Sequence, residues 1–133
     1  MPRSALAILL GMAVFSPAGP ANAQYTFPMV DAERAAGRQL FDQHCAACHS
    51  RAGVSKGFGP LLVGVVGRHA GTAPGFPYSR ALKNSGVVWS ETNLLKWLAD
   101  PPAMVPGTPM PHVSFQDPAE RLFILEYLKS VRR

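Results

Sequence analysis

The chain has 133 residues, which fits one small domain. Its 13 lysines and arginines exceed its 8 acids for a formal charge of +5, but Arg34, Arg38, Arg51, Lys56, Arg68, Arg80, Lys83 and Lys96 are scattered rather than gathered into a stripe, which speaks against nucleic acid as a partner. Twelve glycines and 13 prolines point to long turns, and so short a chain benefits from a staple or a large apolar cofactor.

The first residues read as a leader. Arg3 supplies a positive charge, residues 5–15 are apolar, and residues 16–23 break that run and end in an A-x-A pattern at Ala21 and Ala23. A secretory signal peptide over residues 1–23, cut after Ala23, is the expectation. The alternative, a retained membrane anchor, usually takes about 20 apolar residues, and this run is shorter. Cleavage leaves residues 24–133 as the working domain, 110 residues with a formal charge of +4, outside the cytoplasm and most simply in a bacterial periplasm. With no other run long enough to span a bilayer, stable membrane insertion after cleavage is not expected.

Residues 24–30, QYTFPMV, read as an extended lead-in, and Asp31 as the N-cap of a first helix through Ala32, Glu33, Arg34, Gln39, Leu40 and Phe41. Gly37 interrupts that helix. Glycine there costs about 1 kcal/mol relative to alanine, so it signals close packing against another backbone. Residues 53–75 carry glycine and proline too often for a long element; an ordered loop with one short helical turn at 61–65 is expected. Another short helix is expected over residues 78–82, YSRAL. Ser90 is placed to cap ETNLLKWLAD, where Leu94, Leu95, Trp97 and Leu98 give an apolar face and Pro101 and Pro102 a stop. The stretch PPAMVPGTPMPH is too rich in proline for helix or central strand. The last helix has the clearest signals: Asp117 as cap, Pro118 at the first position, Glu120 three after the cap, then Leu122, Ile124, Leu125 and Leu128, with Phe123 and Tyr127 four apart. With no strand-like alternation of any length, the fold class is all-α with substantial loop.

Both cysteines fall in one motif, C-x-x-C-H, at Cys45, Cys48 and His49. A disulfide would close only a tiny ring and stabilise little. A thiol–disulfide oxidoreductase would place the pair beside a βαβ pattern, and no strands are predicted. Covalent c-type haem attachment explains more: two thiols at this spacing can bond the two vinyl groups on one haem edge, the next histidine lies under the iron, and the macrocycle supplies the apolar centre that the chain lacks. A second axial ligand must come from another segment. Candidates are Met104, Met110, His69, His112 and His44, with Met29 less well placed. A lone methionine is more often a core filler, but Met110 sits in a loop stiffened by Pro106, Pro109 and Pro111.

Over residues 37–128 the chain resembles class I cytochrome c, the monohaem type of the bacterial periplasm. The resemblance rests on Gly37, Leu40 and Phe41 before CAACH, on GPLLVGVVGR (59–68), on GFPYSRAL (75–82), on Trp89, on WLADP (97–101) and on PGTPM (106–110). It implies a small cytochrome c fold, three main helices plus short helices and long loops wrapped around one covalent haem c. It implies that Met110 is the distal iron ligand with the Thr108 hydroxyl near it, that the Pro60 carbonyl accepts a hydrogen bond from the ligand His49, and that Arg68, Tyr78 and Trp89 settle a buried haem propionate. It also puts Gly37 and Phe41 at a crossing with the last helix, with Tyr127 as partner. The chain departs from the family at Trp97, where a tyrosine often stands beside the methionine sulfur, at Leu82 in place of a common asparagine, and at His112 in place of an aromatic ring. Gln43, Pro102 and Pro109 occupy places where some relatives carry docking lysines.

The function implied is a soluble carrier of single electrons between redox partner proteins, a monomer and not an enzyme, whose modest positive charge speeds encounter with acidic faces. Two other functions compete. One is a haem enzyme or a gas- or peroxide-binding protein with a labile distal position; the other is a dedicated electron-transfer subunit of a periplasmic oxidoreductase complex.

Overall fold

The computed structural model describes residues 26–49, 58–110 and 113–132. The expected leader, Arg51, Lys56 and His112 lie outside these residues. The described chain folds into five helices: α1 (Thr26–His44), α2 (Arg80–Asn84), α3 (Glu91–Ala99), α4 (Pro101–Met104) and α5 (Pro118–Ser130). α1, α3 and α5 are the three main helices, and loops make up most of the remainder.

Several boundaries differ from expectation. α1 starts at Thr26, so residues 26–30 are helical rather than extended, and Asp31 lies inside the helix instead of capping it. Pro28 falls in the first turn, where a missing N–H removes no helical bond. The Asp31 carboxylate instead pairs with Arg34 at 2.8 Å, one turn on. α2 begins two residues later than read, because the Ser79 hydroxyl accepts the Leu82 N–H at 3.3 Å and sets the start. The helical turn expected at 61–65 is a single turn closed by Val65 N–H to the Leu62 carbonyl at 3.1 Å. Gly64, at φ +62°, prevents its continuation as a right-handed helix. Residues 101–104 do form a short helix despite two prolines: they occupy its first positions, and the Asp100 carboxylate caps it by accepting the Ala103 N–H at 3.1 Å. Ser90 and Asp117 cap α3 and α5 as read.

The most extensive helix contact is between α1 and α5. A β-carbon on Gly37 would overlap the Phe123 carbonyl of α5 and stand 3.0 Å from Tyr127 Cβ, so the two backbones touch there. One turn on, the Phe41 and Tyr127 rings lie 5.1 Å apart and tilted by 51°. α3 packs on both α5 and α4, and Lys129 of α5 braces it by reaching Glu126 at 2.7 Å and Glu91 at 3.5 Å. Phe41, Leu94, Leu98, Ile124, Leu125 and Leu128 form the heart of a core with no buried charged or polar residue among the described residues.

The loop after the motif is tied down by a short backbone ladder rather than by a strand. Gly67 N–H bonds to the Trp89 carbonyl, Trp89 N–H to that of Arg68, and Ala70 N–H to that of Val87, all within 2.9 Å. This ladder brings Arg68 and Trp89 together, twenty-one positions apart in the sequence.

Gly37→Ala tests the crossing. Helix propensity alone predicts a gain of about 1 kcal/mol; the overlap with Phe123 predicts a net loss of about 1–3 kcal/mol. Thermal unfolding of the holoprotein reads the sign directly, and a stabilised variant contradicts the backbone contact.

Candidate functional site

α1 ends at His44, and the chain continues from it directly into a turn. Cys45 and Ala46 N–H groups both donate to the Phe41 carbonyl, at 2.8 and 2.9 Å, and Cys48 and His49 N–H groups both donate to that of Cys45, at 3.0 and 2.7 Å. This winding turns Cys45, Cys48 and His49 toward one cavity of about 320 Å³, at the lower end of the range for small-molecule and cofactor sites. Leu94, Trp97 and Leu98 of α3 and Ile124 and Leu128 of α5 also line it. Both thiols are free, so the disulfide reading does not describe this structure. Burial, and then the neighbouring Cys48, push the Cys45 thiol up to about 11, which keeps it protonated at neutral pH.

The imidazole of His49 is held on two sides. Its Nδ1 lies 2.8 Å from the Pro60 carbonyl, so Nδ1–H donates and Nε2 keeps its lone pair for a ligand. Burial lowers its pKa from the ordinary 6.5, which outweighs the opposing Pro60 bond and favours the neutral ring. The second contact is Gly59, to which the sequence reading gave no separate role. Its N–H donates to the Cys48 carbonyl at 2.9 Å, and a β-carbon there would come within 2.7–3.2 Å of three ring atoms of His49. The ring lies close against bare backbone, a role that the adjacent Gly-Pro pair signals only in hindsight.

Among the candidate distal ligands, Met110 is half-buried and lines the same cavity as His49. Its N–H is accepted by the Thr108 hydroxyl at 3.3 Å, and the Thr108 N–H donates to the Val105 carbonyl at 3.1 Å, so Thr108 shapes the loop backbone. Met104 packs against the core, Met29 is 61 % exposed, His69 is exposed in the bridge to Val88, and the exposed His44 sets its ring edge-on to Phe115 at 5.3 Å. Arg68, Tyr78 and Trp89 also line the cavity. The Arg68 guanidinium donates to the carbonyls of Leu61 at 3.1 Å and Val63 at 3.2 Å. Burial raises the Tyr78 phenol, opposed by Arg68 and by the Ala73 backbone. Trp89 stacks edge-on against Trp97, ring centres 5.0 Å apart.

Two thiols on one side, a fixed-tautomer imidazole, a thioether and an apolar enclosure fit an iron porphyrin attached through the C-x-x-C-H turn. A helical fold around such a cavity defines a c-type haem protein. The family model "Cytochrome c" matches residues 34–132. The chain is 41 % identical to cytochrome c of Euglena viridis over 102 residues, covering 77 % of this chain and 98 % of that one. It is 45 % identical to cytochrome c2 of Rhodomicrobium vannielii over 93 residues, covering 69 % of this chain and 74 % of that one. Among solved structures, cytochrome cH from Methylobacterium extorquens superposes with a TM-score of 0.68 at 45 % identity, over 73 % of this chain and 97 % of that one. The chain belongs to the cytochrome c family and binds one covalent haem c. No helix among the described residues is long and apolar enough to cross a membrane.

Gly59→Ala forces the His49 ring off its seat. The holoprotein is expected to lose about 1–3 kcal/mol of stability and to change its low-spin spectrum, both readable in one thermal melt followed in the Soret band. An unchanged melt and spectrum would mean that the ring does not depend on Gly59.

Proposed function

We propose that this cytochrome c is a carrier of single electrons between redox partner proteins, with Cys45 and Cys48 bonded to the haem and His49 and Met110 as its two iron ligands. The observation that most supports this is one apolar cavity lined by both thiols, by the imidazole tied to Pro60 and by the Met110 thioether. When bound, the haem supplies a one-electron iron couple, and histidine–methionine ligation raises its potential.

The chain's own residues do the remainder. Pro60 and Gly59 hold the His49 ring so that its Nε2 stays available. Thr108 and the flanking Pro106 and Pro109 hold the Met110 thioether in place with little entropy to lose. Arg68, Tyr78 and Trp89, which line the cavity together, would settle a propionate. Leu82, Leu94, Leu98 and Trp97 keep water out, and their lack of mobile polar groups leaves little to reorganise when the charge changes by one. With His49 and Met110 both holding the iron, no position would be open to a substrate, which fits a carrier rather than an enzyme. Its complexes are weak, short-lived and at the small end of interface size, and the protein itself is a monomer. The leader, residues 1–23, is removed and the working chain operates in the periplasm.

Two measurements test this. The mass of the exported protein is expected to equal the peptide from Gln24 onward plus one haem; a mass without haem removes the attachment. Met110→Ala is expected to abolish the weak sulfur-to-iron band of the oxidised protein and to lower the potential by about 0.1–0.3 V, within the roughly 0.8 V that axial ligands command. Rapid carbon monoxide binding by the unaltered reduced protein would favour the five-coordinate reading instead.

A further inference from the structure

Among the described residues, the exposed ones that line the cavity are apolar and uncharged, where a steered carrier would put charge. Phe58 lines the cavity beside Cys48 and His49, yet its side chain is 91 % exposed. Pro109, next to Met110, is the other residue that both lines the cavity and is exposed. Leu61 follows Phe58 at 37 % exposure. Scattered exposed apolar residues are ordinary, but a phenyl ring left almost bare at the opening of the functional cavity is not.

Charge is missing from both segments that form this rim. Residues 58–67, FGPLLVGVVG, and residues 101–110, PPAMVPGTPM, contain no Lys, Arg, Asp or Glu. The one arginine that lines the cavity, Arg68, turns its guanidinium onto the carbonyls of Leu61 and Val63. The chain's excess of basic residues therefore falls outside these two stretches. An acidic partner face pressed on these residues would lose hydration and find no counter-charge within the two stretches; an apolar, uncharged face would lose less.

We propose that the rim of Phe58, Leu61 and Pro109 is the docking surface, and that it takes a redox protein whose own docking face is apolar and uncharged. This rests on the electron-carrier reading. It departs from the encounter with acidic faces that net charge alone suggests.

The test uses the holoprotein itself, whose reduced and oxidised forms present this rim to each other. In self-exchange one copy loses the electron that the other gains. The driving force is zero, so a shifted potential does not enter the rate. The self-exchange rate, from NMR line broadening in mixtures of the two forms, is expected to rise by less than about threefold between roughly 0.01 and 0.5 M ionic strength. Phe58→Lys is expected to slow it about tenfold at low salt and to restore a strong salt dependence, because the contact then carries like charges. Phe58→Ser slows it at every salt concentration, and Phe58→Leu retains most of the rate. On concentrating the fully reduced protein, amide shifts are expected to move at residues 58–61 and 105–110 and little elsewhere.

A wild-type rate that climbs more than tenfold with salt, or a rate indifferent to Phe58→Lys and Phe58→Ser, overturns the proposal, as do concentration-dependent shifts on another face. If instead the purified protein shows no reversible one-electron couple by voltammetry, the carrier reading itself fails, and the two failures are told apart before any rate is measured.

Discussion

At Gly37 the backbone of α1 runs against the Phe123 carbonyl of α5 with no side chain between them. That close approach fixes α1 against α5, and the Cys45–His49 turn is wound directly onto the end of α1 through the Phe41 carbonyl. The same crossing presents Phe41, Ile124 and Leu128 as one wall of the cavity. A displaced crossing would therefore move the attachment turn and the wall opposite it together. α3, braced by Lys129 through Glu91, closes a further wall with Leu94, Trp97 and Leu98.

The interior that results is apolar, and its few polar groups are directed. The imidazole of His49 is spoken for at Nδ1, the Met110 amide by Thr108, and the Arg68 guanidinium by two carbonyls. In a low-dielectric surrounding an unpartnered group would be costly, so each such bond also fixes a direction. The ladder between residues 67–70 and 87–89 matters for the same reason. It joins two segments with little regular structure and so holds Arg68 and Trp89 at a common height on the cavity wall.

Much of this was legible in the sequence because the signals were local. Ser90 and Asp117 announce helices through hydroxyl and carboxylate caps, and C-x-x-C-H announces its chemistry through spacing alone. Gly37 announced a close approach without naming the residue approached. What misled was also local. Asp31 has the chemistry of a cap but spends its carboxylate on Arg34, and residues 24–30 read as an extended lead-in although Pro28 falls in a first turn that has no bond for it to break. Pro101 and Pro102 disguised a short helix for the same reason, since Asp100 before them supplies the cap. The seat that Gly59 gives His49 was out of reach, because it is a fact of distance between two backbones and a ring that no periodicity records. The prominence of Phe58 was hidden too, since exposure belongs to the folded surface.

Both tryptophans of the chain, Trp89 and Trp97, stand edge to face in the wall of this one cavity. A porphyrin enclosed beside them would accept their excitation energy at short range. With the cofactor in place their ultraviolet emission would be quenched, and any event that parted α3 from the cofactor, or delivered the chain without one, would switch that emission on. The molecule carries its own optical gauge of whether it is loaded and closed.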